Sequence, residues 1–496
     1  MKLTQAIELI KNSIPHAYLV GGFVRDEMLG IASKDADIEV FGMASEELEK
    51  QLQTLFDGKV TAVGRSFGVF KALLGNGLDV DVAIPRRESK SGKGHKDFVV
   101  EGDPTMTIEE AARRRDFTIN AMYRDLATGA LIDPFGGAAD LNNKILRAVD
   151  ARTFVEDPLR VYRGVQFAAR FGLTVEAETL VLMQEMVRSG ALDYLPAERV
   201  TGEIRKLLLQ ADQPSRGFAL MRELGIIEKY YPELLVLAET PQEPDWHPEG
   251  DVWIHTMMVL DQATKIAKTA NPFLTFTDEE RLQIGLGALC HDLGKPATTA
   301  IGEKHGVPRI RSLGHEEAGV EPAKILLAKW TFGQSVLEAA LTSTREHLKP
   351  GMLLMQVENG QTSAEQYVNS ARKLLKRIHP VSSRILLAIA EADHRGRALP
   401  GVETEPYLAG EYMTRVILEH RLDEAPTKPL ISGSDLLPLG VEPGPAMGVL
   451  IKRIEKARDV GDITTRAEAL NLATKICALD KTEAPATQVG PGLSET

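Results

Sequence analysis

Cysteine is almost missing from this chain: 496 residues hold two, Cys290 and Cys477. Two thiols form no disulfide framework, which excludes the small stapled scaffolds of secreted proteins. Cys290 lies in an apolar helical pattern, GLGALC, and is expected as a buried structural thiol. No apolar run approaches the ~20 residues a membrane helix needs, and no basic, then apolar, then small-residue pattern opens the chain. These absences point to a cytosolic, non-membrane protein. An excess of positive charge is lacking too, with 58 basic against 70 acidic residues and a net charge of −12. That argues against non-specific coating of nucleic acid, yet local clusters such as Arg86-Arg87, Arg113-Arg114-Arg115 and Arg160/Arg163 leave room for an RNA substrate.

What is present is organised around Tyr18 to Val40, YLVGGFVRDEMLGIASKDADIEV. An apolar run, Tyr18 to Val20, meets Gly21-Gly22, a helical stretch Phe23 to Leu29, a turn, and a second strand Ala36 to Val40. Glycines between a strand and a helix let the backbone pass close to an anion, with free N–H groups at the helix start facing it. Asp35 and Asp37 stand two apart, which on an extended strand puts them on one face. Side-by-side carboxylates repel each other unless a hard cation joins them. Mg²⁺ takes one or two carboxylates plus substrate phosphates, as nucleotidyl transfer requires. Alone, Asp-x-Asp in a turn is as well explained by a solvated loop.

The order GGxVRD (Gly22, Arg25), then DxD, resembles the nucleotidyltransferase head of the class II tRNA nucleotidyltransferase and bacterial poly(A) polymerase superfamily. Further matches carry the resemblance along the chain: RRDFTINAM (114–122), DPFGG with Asp140-Leu141, EDPLR (156–160) and QFAARFGL (166–173). It implies an α+β protein with a small mixed-sheet head over 1–148 and a helical neck over 149–240. It also implies template-independent addition of CCA to the acceptor end of tRNA from CTP and ATP with Mg²⁺. Asp35 and Asp37 would bind the metal, with Asp81, from the alternating strand Leu78–Ile84, as the third acid. Arg115, Asp116 and Asn120 would hold sugar and phosphates, the last two brought together by helical i, i+4 spacing. Asp157 and Arg160 would read the base, a carboxylate only accepting and a guanidinium only donating; Arg163 also matches. Locally, Asp157 before Pro158 is equally a helix N-cap with proline at N1. Residues 88–104 read as a loop, which in full CCA-adding enzymes is implicated in the change from CTP to ATP. Poly(A) polymerase and CC- or A-adding specialists share the head motifs and stay open.

Pro241 to Pro248 reads as a proline-rich linker into a third domain over 241–400. Its helical patterns carry His255, His291-Asp292, His315, His347 and Asp393. Imidazoles and carboxylates spread over several helices suit a divalent transition metal. The segments HPEGDVWIHT and ALCHDLGK resemble the HD phosphohydrolase domains fused to bacterial CCA-adding enzymes. That resemblance implies His255, His291, Asp292 and Asp393 as ligands, with His315 and His347 either second-metal ligands or ordinary neighbours and Lys295 near phosphate. A phosphohydrolase whose head only tethers RNA is therefore the rival from another class. Residues 401–480 read as further helices with a basic face at Lys452, Arg453, Lys456 and Arg458, and 481–496 as a disordered tail.

Overall fold

The computed structural model describes residues 1–33, 35–64, 68–75, 78–90, 98–269, 275–304, 306–423, 429–459 and 462–482. The chain forms two compact units, residues 1–371 with 377–414, and residues 372–376 with 415–496. The protein is α+β, with its large sheet confined to the N-terminal part of the first unit.

That sheet is seven-stranded, in the order β3-β4-β5-β2-β1-β8-β9. Its strands are β1 (Ala17–Val20), β2 (Ala36–Val40), β3 (Val60–Gly64), β4 (Val69–Gly75) and β5 (Leu78–Ala83), with β8 (Tyr123–Asp125) and β9 (Leu131–Ile132) at one edge. Every pairing is antiparallel except β2 with β5. Period-two alternation buries Ala36, Ile38 and Val40 of β2 and Val80 and Val82 of β5 in the core. The intervening residues, Asp37, Glu39, Asp79 and Asp81, are thereby turned to the opposite face.

The segment expected as a loop over 88–104 is in part a hairpin, β6 (Arg86–Lys90) pairing antiparallel with β7 (Phe98–Gly102). The sequence hid it, since Glu88 to Pro104 shows little periodicity from which a hairpin could be read. Residues 91–97 lie outside the described residues. The Asp116–Asn120 stretch also departs from expectation. The helix Ile108–Arg113 ends before it, and Thr118–Asn120 is a 3₁₀ turn rather than a continued α-helix.

The rest of the first unit is helical. The buried helix Asp278–Cys290 is packed by Val252–Lys268, Gln334–Glu346 and Ser383–Arg395. Cys290 is fully buried and its thiol is pushed up to about 12 by desolvation. The second unit has its own core, built by Ile431, Leu436, Leu450, Ile454, Ile463 and Ile476. Its helix Pro445–Asp459 exposes Lys452, Arg453 and Lys456, with Arg458 partly buried. The last helix, Arg466–Thr482, reaches into the expected tail, of which 483–496 lie outside the described residues.

Candidate active sites

Parallel pairing of β2 with β5 sets Asp37 directly opposite Asp81. Burial pushes the Asp37 carboxyl up; Arg115 opposes this, while Asp81, Glu39 and Asp35 reinforce it. Asp81 is likewise raised by burial, against the pull of Lys71. Lys71 Nζ sits 3.0 Å from Asp79 and 3.6 Å from Asp81, and Asp81 Oδ1 is buried without a hydrogen bond. Mutually repelling, oxygen-only donors with one orphaned oxygen fit a hard divalent cation.

Asp35 and Asp37 open onto a cavity of about 680 Å³ that is also lined by Gly22, Arg25, Arg115 and Asn120. Around it the predicted residues form one hydrogen-bonded network. Arg25 Nη1 donates to Asn120 Oδ1 at 2.6 Å, and Asn120 Nδ2 donates to Asp116 Oδ1 at 3.0 Å. Arg163 grips the other oxygen, Asp116 Oδ2, at 2.6 Å. Burial alone would raise Asp116, but Arg163 and Asn120 outweigh it and hold the carboxyl low. The Arg25 guanidinium lies over the rings of Phe167 and Phe171, at 5.2 and 4.5 Å. Arg115 donates to Glu39 at 2.7 Å.

The helix Leu159–Phe171 supplies the far wall, with Arg160, Arg163 and Phe167 at helical spacing. Asp157 Oδ1 accepts from the Leu159 N–H at 3.2 Å, although the N-cap of the helix is Pro158, one position later than expected, and Oδ2 accepts from Arg199 at 3.0 Å. Arg160 donates to the carbonyls of Thr153 and Arg114. The pair expected to read a base is thus on the cavity wall with protein partners already engaged. Glu39 went unnoticed in the sequence, although continuing the i, i+2 face from Asp37 signals it.

In the helical region, three sets of ligand atoms converge to within 4.8 Å among the described residues: His247/Glu249/His255, His255/His291/Asp393 and Asp292/His315/His347. Asp35, Asp37 and Asp81 do not converge that closely. Carbonyls accept from the Nδ1 atoms of His291, His315 and His347, and the Glu249 carboxylate from His255. A carbonyl or carboxylate only accepts, so each Nδ1 carries a proton and each Nε2 faces inward, the way metal-binding histidines are oriented by the acceptor behind them. Asp292 lies between the groups, with Oδ2 3.1 Å from His291 Nε2 and Oδ1 3.3 Å from His315 Nε2. Its two oxygens and His291 Nε2 are buried without hydrogen bonds. Burial would raise Asp292, but His291 and Lys295 hold it well below the carboxylate range. Burial and neighbouring imidazoles push His347 down to about 4, leaving it neutral. Asp393 meets His255 Nε2 at 3.0 Å. This nitrogen and oxygen donor set fits a divalent transition metal. His315 and His347 therefore join the predicted cluster rather than lying beside it.

Gly294 explains how. A Cβ there would fall 2.0 Å from the His315 carbonyl oxygen, so only glycine lets the His315 turn reach the His-Asp pair. The presumed linker over 241–248 proves part of the site. Gln242 accepts from Lys295 at 2.7 Å, and His247 shares the Glu249 carboxylate with His255. Proline content signalled irregular backbone correctly and concealed its packing.

Three family descriptions match consecutive parts of the chain: Poly A polymerase head domain over 17–147, "Probable RNA and SrmB- binding site of polymerase A" over 172–237, and HD domain over 252–395. The Multifunctional CCA protein of Stenotrophomonas maltophilia (strain K279a) is 38% identical over 402 residues, 80% of this chain and 90% of that relative. A CCA-adding enzyme in complex with CTP matches at a TM-score of 0.56 and 20% identity, over 97% of this chain and 96% of that one. The Thermotoga maritima CCA-adding enzyme complexed with tRNA matches at 0.53 and 21%, over 97% and 99%. At such identities the solved structures speak for the fold. Fold and sites together define a nucleotidyltransferase carrying an HD domain. The chain belongs to the multifunctional CCA protein family.

Proposed function

We propose that the head and neck add or repair the 3′-terminal CCA of tRNA, using CTP and ATP without a nucleic-acid template. The observation that carries this reading is the pairing of Asp37 with Asp81, Asp37 itself lining an arginine-rich cavity whose wall bears Asp157 and Arg160. The primer 3′-hydroxyl oxygen attacks the α-phosphorus, the α–β anhydride bond breaks, and pyrophosphate leaves. Asp35 and Asp37, assisted by Asp81, would hold Mg²⁺, which when bound offsets charge on the triphosphate and the departing pyrophosphate. Asn120 and Asp116, braced by Arg25 and Arg163, form a fixed polar floor for ribose and phosphate. Asp157 and Arg160 select the base by exchanging their present partners for its Watson–Crick edge. The division into head (1–148), neck (149–240), HD (241–400) and C-terminal (401–480) regions belongs to the same proposal.

The test is incorporation by the full chain with Mg²⁺ on tRNA ending at the discriminator base, on tRNA ending in CC, and on oligo-A. Growth by three nucleotides ending at CCA, on tRNA alone, is expected. Long A tails on any RNA would instead make it a poly(A) polymerase.

A second activity is favoured by the four inward-facing imidazoles around the buried Asp292 carboxylate: metal-dependent hydrolysis of phosphoesters by His255, His291, Asp292 and Asp393, with His315 and His347 completing a second metal position. A divalent transition metal, when bound, supplies an activated water and charge neutralisation. Lys295, 2.6 Å from Asp292, stands where it can meet phosphate.

A further inference from the structure

Glu39 stands two residues after Asp37 on β2, on the same face of the strand, and lines the head cavity beside it. Both its oxygens are engaged. Oε1 accepts from Arg115 Nη2 at 2.7 Å and Oε2 from the Tyr123 hydroxyl at 2.9 Å. Tyr123 is fully buried on β8, edge-on to Tyr18 and Phe41 with 6.4 and 6.2 Å between ring centres. Burial pushes its hydroxyl up, so it stays a donor. The Arg115 guanidinium lies over the same ring, 5.4 Å from its centre. Strand and ring thus fix Glu39, and Glu39 fixes Arg115.

That ion pair sits between two places the reaction uses. Arg115 Nη1 lies against the Gly21 turn, where a Cβ would come within 2.7 Å of it. Nη1 has no acceptor among the described residues, so it is the donor left for phosphate. On the other side, Arg115 is near enough to Asp37 for each charge to act on the other. Free to swing, the guanidinium would pair with the carboxylates that are to take Mg²⁺, since both cations seek the same oxygens. Glu39 competes for it at hydrogen-bond distance. With both oxygens occupied, Glu39 is not itself a free ligand.

We propose that Glu39 is a positioning residue for nucleotidyl transfer: it keeps Arg115 aimed at the Gly21–Gly22 turn, where the triphosphate belongs, and off Asp35 and Asp37. This rests on the nucleotidyl-transfer reading of the head. Glu39 takes the charge of Arg115, and Asp35 and Asp37 stay open to Mg²⁺. Without Glu39, Arg115 and Mg²⁺ exclude each other at Asp37.

The experiment follows CTP incorporation by the full chain into tRNA ending at the discriminator base, as a function of Mg²⁺ concentration. E39A is expected to raise the half-saturating Mg²⁺ about ten-fold, with kcat returning to within about three-fold of the wild type once Mg²⁺ saturates. E39Q, close in shape but uncharged, is expected to fall between the two. R115A is expected to slow incorporation at every Mg²⁺ concentration. E39A/R115A should need no more Mg²⁺ than R115A, since no guanidinium is then left to compete. A merely structural Glu39 predicts a loss that Mg²⁺ does not restore. A Glu39 that ligates the metal predicts a raised Mg²⁺ requirement in the R115A background as well. Either outcome, or an E39Q curve identical to that of the wild type, overturns the proposal. If the wild type extends no primer, the nucleotidyl-transfer reading fails, and calorimetry of CTP binding with Mg²⁺ decides the role of Glu39 alone. E39A should then bind about ten-fold more weakly at low Mg²⁺ and match the wild type at high Mg²⁺. Equal binding at low Mg²⁺, or no binding by the wild type, rejects it.

Discussion

Asp37 shows the tension between stability and chemistry at a single residue. Its carboxyl is raised above the ordinary value by burial and by neighbouring acids. A carboxylate with a raised folded pKa subtracts stability once ionised, so the penalty is present at neutral pH and vanishes as pH falls below the unfolded value of ~3.9. Asp37→Asn should therefore raise the metal-free thermal midpoint at pH 7 and lose that advantage near pH 3.5, as calorimetry at the two pH values would record. Gly137 poses the opposite case. A Cβ there would sit 2.1 Å from the Thr118 carbonyl oxygen and displace the 3₁₀ turn that presents Asn120. Gly137→Ala is expected to destabilise by about 1–3 kcal/mol, or more if the turn cannot yield, read from urea unfolding, together with weaker nucleotide binding.

At the scale of elements, the HD cluster is assembled by helix ends and turns that meet over the buried helix Asp278–Cys290. His347 is the member whose titration is most displaced toward neutrality, to about 4 against an ordinary 6.5. A histidine with a lowered folded pKa contributes stability that is fully present above the unfolded value and is lost as pH falls toward the folded one. Between pH 7 and 5 the metal-free protein should lose about 2 kcal/mol through this group. His255, raised by Asp393 and Glu249 against its burial, slopes the other way, so the comparison is made against His347→Gln, in which the His347 contribution disappears. Equal slopes in the two proteins, measured by urea unfolding after chelation, would contradict the assignment.

At the scale of the molecule, both cavities lie in the first compact unit, on one continuous buried core, yet among the described residues none lines both. Separate sites predict separable losses. Asp37→Ala should reduce nucleotide incorporation on the order of 10³-fold while phosphate release continues, and His291→Ala should do the reverse. A single variant that removes both would mean that one site does both jobs.

The sequence by itself determined much of this. Alternation and helical spacing wrote the strand–glycine–helix–strand head and the Leu159–Phe171 helix, because those depend on neighbours a few residues away. The motifs GGFVRD, DAD, RRDFTIN and CHDLGK named the residues at the heart of each site, among them Asp37, Arg115, Asp116, Asn120, His291 and Asp292. Only tertiary structure decided the rest. It set Asp37 against Asp81 through parallel pairing across about forty residues of chain, and drew His315 and His347 to Asp292. It packed the proline-rich stretch 241–248 into a wall of the second cavity. Register, close approach at a glycine and the pairing of charges are relations between distant segments, and no local pattern of residues encodes them.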